Sequence, residues 1–194
     1  LFGTLMTRAW YRFWYEPEIV RRLNYCVFII GDPGAGKNIV EKFYKKIADP
    51  MIQADQCLID AVNRYKDSRT ERSTSTKAQK GEALQEPGGI IRYNVVKVSN
   101  NRFYKHAENN KEVGYDGQQW FLHQYMFSTE LLSLINPKGG FQEKRDIMLQ
   151  AFHNERNGVD YANSDSVNDS MPMMFSGVFT CTRPSLQQFI NARS

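Results

Sequence analysis

The sequence predicts an α/β fold: a mainly parallel sheet with helices on both faces. Three observations predict it. The apolar run Tyr25-Cys26-Val27-Phe28-Ile29-Ile30 stops at Gly31, which suits a buried parallel strand. GDPGAGKN (31–38) follows at once, and KNIVEKFYKKIA (37–48) then sets Ile39, Val40, Phe43, Tyr44 and Ile47 on one helical face. Further along, apolar runs alternate with helical patterns, the order expected of parallel strands joined by crossover helices.

Taken in order, residues 1–22 carry Leu5, Trp10, Phe13 and Trp14 at helical spacing and read as a helical lead-in. The nucleotide-type domain would then span 23–194. Residues 51–66 continue as a helix, with Met51, Ile52, Cys57, Leu58, Ala61, Val62 and Tyr65 as its apolar set. A polar, charged insertion occupies about 66–89 and reads as a solvated helical extension or loop. IIRYNVVKV (90–98) is β-branched and predicts a strand, 100–109 a short helix, 114–118 a turn. WFLHQYMFSTE (120–130) predicts a second core strand ending in an acid, and 141–154 a helix. Residues 159–170 are turn-rich or a hairpin, 172–184 form another apolar run, and a last helix begins near Ser185 as N-cap.

The chemistry centres on Gly31 to Asn38. Gly31, four residues, Gly36 and Lys37 match the phosphate-binding pattern G-x-x-x-x-G-K-[ST] at every position but the last, where Asn38 replaces the hydroxyl residue. Each residue type has its own physical task. Glycines let the backbone turn and bring N–H groups to an anion. The following helix adds its positive N-terminal end, and the lysine reaches β- and γ-phosphates. The expected cofactors are therefore ATP and Mg²⁺, with Gly31, Asp32, Pro33, Gly34, Ala35, Gly36, Lys37 and Asn38 around the phosphates. Asn38 stands at the Mg²⁺ position without its usual hydroxyl.

Glu130 is the candidate catalytic and metal-side acid. An apolar strand beside the loop strand is expected to end in acids that hold Mg²⁺ and orient the attacking water. Here Thr129 stands where an aspartate usually precedes the glutamate. Capping explains the same residues: Ser128 or Thr129 as N-cap and Glu130 in a first turn. Asp116 and Asp146 are the alternative acids. Thr180 or Thr182, at the tip of the late apolar strand, would sense the γ-phosphate, and Arg183 would meet phosphate charge or act across a subunit boundary; hydroxyls capping a strand end explain them equally.

His106, His123 and His153 have no close partner spacing and read as structural or exposed. Lys97, Arg102, Lys105 and Lys111, with Phe103 and Tyr104 among them, form a basic-aromatic cluster suited to single-stranded nucleic acid or to a solvated helix face.

Composition sets outer bounds. The 194 residues suit one domain, 41% hydrophobic and 24% charged, with a mild net charge of +4. No stretch is long and apolar enough to span a bilayer, and Arg8 and Arg12 interrupt the aromatic start, which argues against a signal peptide. The scattered Cys26, Cys57 and Cys181 fit no metal spacing and suggest reduced thiols in a cytoplasm. The chain does not begin with Met and reads as a fragment of a longer protein.

The order of GDPGAGK, IIRYNVVKVSNNRFYKHAEN, a strand ending in STE, an AFHNE helix and a late SG-x-x-x-x-T strand resembles a P-loop ATPase family of Bacteroidales, phages and mobile elements. Its members are often labelled primase-helicase or replicative-helicase-like. The resemblance covers most of 20–190 and implies a RecA-like ATPase core, with Lys37 as the phosphate lysine and Glu130 as the acid. It also implies tolerance of a non-hydroxyl residue after the lysine. The expectation it yields is an ATP-hydrolysing motor or loader acting on DNA, with single-stranded DNA and primase or replication proteins as partners and a homo-oligomeric ring by fold-level analogy. Two alternatives stand beside it. One is a regulatory nucleotide switch with weak hydrolysis. The other is a kinase-like phosphotransferase, whose lid would need more arginines than Arg69 and Arg72 in 66–89.

Overall fold

The computed structural model describes residues 9–74, 86–114, 116–134, 141–157 and 170–191. Its centre is a four-stranded, wholly parallel sheet in the order β3-β10-β7-β4. These strands are β3 (Cys26–Ile30), β4 (Tyr93–Asn94), β7 (Gln124–Ser128) and β10 (Phe175–Cys181). Central β7 and β10 are buried at every residue, and their polar members Gln124, Ser128, Ser176 and Thr180 are all hydrogen-bonded. β3 differs from the buried strand expected: it is the sheet edge, and Val27 and Ile30 are exposed.

Helices cover both faces. α1 (Asn38–Thr74) packs Tyr44 and Ala48 on one face against Tyr125, Phe127 and Val178. Tyr44 stacks on Phe127 at 4.4 Å and on Tyr125 at 5.2 Å. The opposite face is covered by α2 (Asn100–Asn109), α3 (Phe141–His153) and α4 (Arg183–Asn191), through Phe103, Ile147, Met148 and Phe189 around Met126, Phe175 and Phe179. Alternation along a strand makes this possible: Val178 faces α1, while Phe175 and Phe179 face the other helices.

Buried polar groups tie the layers. Asp55 of α1 receives the Arg92 backbone N–H at 2.9 Å and its guanidinium at 2.6 Å. The Asn110 side chain exchanges two hydrogen bonds with the backbone of Ile91. Asn94 donates to Gln124, whose amide donates to the Phe103 carbonyl, and His106 Nδ1 lies 2.6 Å from Asn94 Oδ1.

Several elements differ from expectation. Residues 10–22 are not helical: β1 (Trp10–Phe13) and β2 (Glu16–Arg22) form an antiparallel hairpin, while residues 1–8 lie outside the described set. The two helices expected within 37–66 are one, running through Pro50 to Thr74. Within 90–98 only Tyr93–Asn94 is strand, because Ile91 and Val98 are spent on the core outside the ladder. The run 120–130 breaks at Leu122–His123 into β6 (Gln119–Phe121), which pairs with β5 (Lys111–Val113) around the expected turn, and β7. A short pair, β8 (Arg156–Asn157) and β9 (Met171–Pro172), precedes β10. The turn-rich 159–169 lies outside the described residues. α4 starts at Arg183, two residues before expectation, with the Thr182 hydroxyl accepting the Ser185 N–H.

Candidate functional site

β3 hands the chain directly to the glycine loop. The Gly31 N–H donates to the Cys181 carbonyl at 3.0 Å, so the loop is stitched to β10 at its first residue. Ala35 N–H then closes a turn on the Asp32 carbonyl at 3.1 Å. Gly34 and Gly36 have φ of 81° and 71°, and a Cβ on either would meet nothing within 4 Å. Backbone conformation, not crowding, therefore requires glycine there, at about 1–2 kcal/mol for any other residue. Among the described residues, the amides of Gly34, Gly36, Lys37 and Asn38 have no acceptor. Four donors thus stand ready where α1 presents its positive end.

Lys37 folds over this loop. Its Nζ donates to the carbonyls of Gly31 at 2.6 Å and Asp32 at 3.1 Å. Asp32, Pro33, Ala35 and Asn38 are exposed, so the loop's outer surface is open to a ligand. The amides, the half-buried ammonium and the helix end fit a chain of phosphates chemically.

Glu130 lies at the same edge of the sheet. Parallel register pairs Ile30 with Cys181 and Phe179 with Ser128, so β3 and β10 end level and β7 stops two residues short of them, with Thr129 and Glu130 following at that edge. The acid strand is expected beside the loop strand, but β10 lies between them, placing β7 about 10 Å from β3. The Glu130 backbone is held firmly: its N–H donates to Ser128 Oγ, and its carbonyl accepts from Ser128 and Ser133 hydroxyls at 2.7 and 2.6 Å. Ser128 thus caps the short 3-10 helix Leu131–Leu134, and the Glu130 carboxylate has no partner among the described residues. The capping and acid readings of Glu130 coexist.

An open cleft of about 530 Å³ lies between α1 and the ends of β4 and β7. Glu41, Lys45, Tyr93, Ser128, Thr129 and Glu130 are among its lining. Glu41 and Lys45 form an ion pair of 2.8 Å one helical turn apart. Sequence reasoning passed over them, although their i, i+4 spacing on the helix after the loop was the available signal.

The other candidates fall elsewhere. Thr180 is buried and donates to the Thr129 carbonyl at 2.6 Å, tying β10 to β7 behind the acid. Thr182 caps α4, and Arg183 is exposed in its first turn. Both sit directly after β10, beside the loop edge. Asp116 pins its own hairpin by accepting from Gln118 N–H and Trp120 Nε1, and that hairpin leads into the amino end of β7, the far edge of the sheet. Asp146 belongs to α3, on the face away from α1. Phe103 and Tyr104 are buried, and Arg102 and Lys105 pair with Glu86, so the basic-aromatic cluster presents no stacking surface. Burial holds His106 and His123 down to about 4, with Arg102 and Arg22 adding repulsion; His123 is fully buried and His106 half-buried.

Among the described residues no three His, Cys, Asp or Glu side chains gather as a metal site, and no helix is long and apolar enough to cross a membrane. Mg²⁺ does not need such a cage, since it commonly uses one or two protein oxygens plus phosphates and water. No family model, no curated protein and no solved structure matches this chain.

Proposed function

We propose that the chain is an ATP-binding P-loop NTPase with a RecA-like core, slowly hydrolysing ATP and acting as a motor or loader on DNA in mobile-element or phage replication. The observation that carries the reading is the loop 31–37 between β3 and α1. Its Gly34 and Gly36 are left-handed, the amides of Gly34, Gly36, Lys37 and the following Asn38 lack acceptors, and Lys37 is poised on the Gly31 and Asp32 carbonyls. Lys37 would leave Gly31 and Asp32 for the β- and γ-phosphate oxygens, and the amides of Gly34, Gly36, Lys37 and Asn38 would cradle the remainder. Asn38 and Glu130 would supply neutral and anionic oxygens toward Mg²⁺, which when bound neutralises charge on the phosphates. Glu130 would orient a water and take its proton as the oxygen attacks the γ-phosphorus and the bond to ADP breaks.

A second reading, a nucleotide switch with weak hydrolysis, is favoured by the Mg²⁺ side. Asn38 offers only a neutral carboxamide, and Thr129 contributes a carbonyl already bound to Thr180. One experiment separates them: nucleotide binding and ATP turnover, with and without single-stranded DNA, in Lys37→Ala and Asn38→Ser. Lys37→Ala is expected to weaken ATP binding about 10- to 100-fold, the worth of a charge-assisted contact. DNA-stimulated turnover abolished by Lys37→Ala supports the motor. Tight binding without turnover, and a large gain in Asn38→Ser, supports the switch. Absence of nucleotide binding in the unaltered protein overturns both.

A further inference from the structure

The β1–β2 hairpin concentrates aromatic surface outside the core. Trp10, Tyr11, Phe13, Trp14 and Tyr15 fall within six residues, and none belongs to either buried cluster. Phe13 and Tyr15 stack with centroids 5.1 Å apart and planes within 9°, and Tyr11 meets Phe13 edge-on at 5.4 Å. At the tip Trp14 is 90% exposed and Tyr15 58%. A ribbon of two strands is marginal in water, and exposed rings on this scale mark a binding surface.

Guanidinium groups are interleaved with the rings. Arg12 lies over Trp10 at 5.1 Å and Arg21 over Phe13 at 5.2 Å. The pattern continues onto the neighbouring hairpin, where Arg22 lies over Trp120 at 4.7 Å and Lys111 over Phe121 at 5.4 Å. Arg21 pairs with Glu16 at 2.6 Å, and on the ribbon itself Arg12, Arg21 and Arg22 outnumber Glu16 and Glu18 by one. A lipid surface would favour apolar rings segregated from the charges. Here cation and ring alternate on both faces of the ribbon, as suits unpaired bases that stack and phosphates that need neutralising.

We propose that the β1–β2 hairpin is a stacking platform for single-stranded nucleic acid. It deepens the DNA-directed reading above and rests on that reading for the choice of DNA as probe. The platform enters β3 at its amino end, whereas the glycine loop leaves it at the carboxyl end, about 16 Å away by strand length. The two sites can therefore be tested separately.

The test is fluorescence anisotropy of a labelled oligo-dT, a matching duplex and anionic vesicles with the intact chain. The double variant Trp14→Ala/Tyr15→Ala is compared with Trp14→Phe/Tyr15→Phe, and nucleotide binding is read in parallel. Preference for oligo-dT over duplex, about ten-fold or greater loss in the alanine pair, and retention in the phenylalanine pair support the platform. Equal oligo-dT binding by both pairs overturns it, as does vesicle binding in place of oligo-dT or no binding of oligo-dT. Loss of ATP binding alone, with hairpin-dependent oligo-dT binding intact, overturns the nucleotide reading and leaves the platform standing.

Discussion

Gly177 shows how one residue's missing side chain shapes the sheet. A Cβ there would lie 2.6 Å from the Phe179 ring and 3.1 Å from Phe175, both almost fully buried. Gly177→Ala must displace a ring in a close-packed core and is expected to cost about 1–3 kcal/mol, read as a lower urea midpoint with unchanged slope. The glycine loop was legible at this scale because its signal is covalent: φ values that only glycine accepts, at fixed spacing before a lysine. Thr180 was not. Its neighbours Thr182 and Arg183 are equally polar, and Thr182 even shares its face by the period of two; only the end of β10 at Cys181 leaves Thr180 buried on the Thr129 carbonyl and the others at the rim.

The contact between α1 and the strand region at 91–94 joins a Tyr44–Tyr93 ring contact to one buried carboxylate. Asp55 is buried, and it holds both the backbone N–H and the guanidinium of Arg92. Asp55→Ala leaves a buried donor and a partly buried cation unpaired. We expect a loss of about 2–4 kcal/mol, with faster amide exchange at Tyr93–Asn94 than elsewhere in the sheet, measured by hydrogen exchange. Helices α1, α2 and α3 were visible in the sequence because long amphipathic patterns repeat. The hairpin 10–22 was misread for a physical reason: its rings occupy both faces, so the period of two is hidden. Trp10, Phe13 and Trp14 happen to fit helical spacing, and the Trp14-Tyr15 turn lacks the usual glycine or asparagine.

The whole molecule carries a pH dependence. His106 and His123 are held to about 4, chiefly by burial, against about 6.5 in an unfolded chain. The unfolded state therefore binds more protons between those values, and stability falls as pH drops from about 6.5 toward 4. The expected loss approaches about 3 kcal/mol per histidine near pH 4, seen as a falling melting temperature whose slope flattens in His106→Gln/His123→Gln. The order β3-β10-β7-β4 was illegible because strand neighbours are chosen by packing between residues about 150 positions apart, and no local pattern encodes that choice.

That order also dictates a sequence of assembly. Among the described strands, β3 has a single partner, β10, and the loop's first amide is fastened to Cys181. A chain emerging from the ribosome carries its glycine loop for some 140 residues before the strand that anchors it exists. The loop is thus made long before it can be fastened, and it takes its final form only when the tertiary structure is nearly complete.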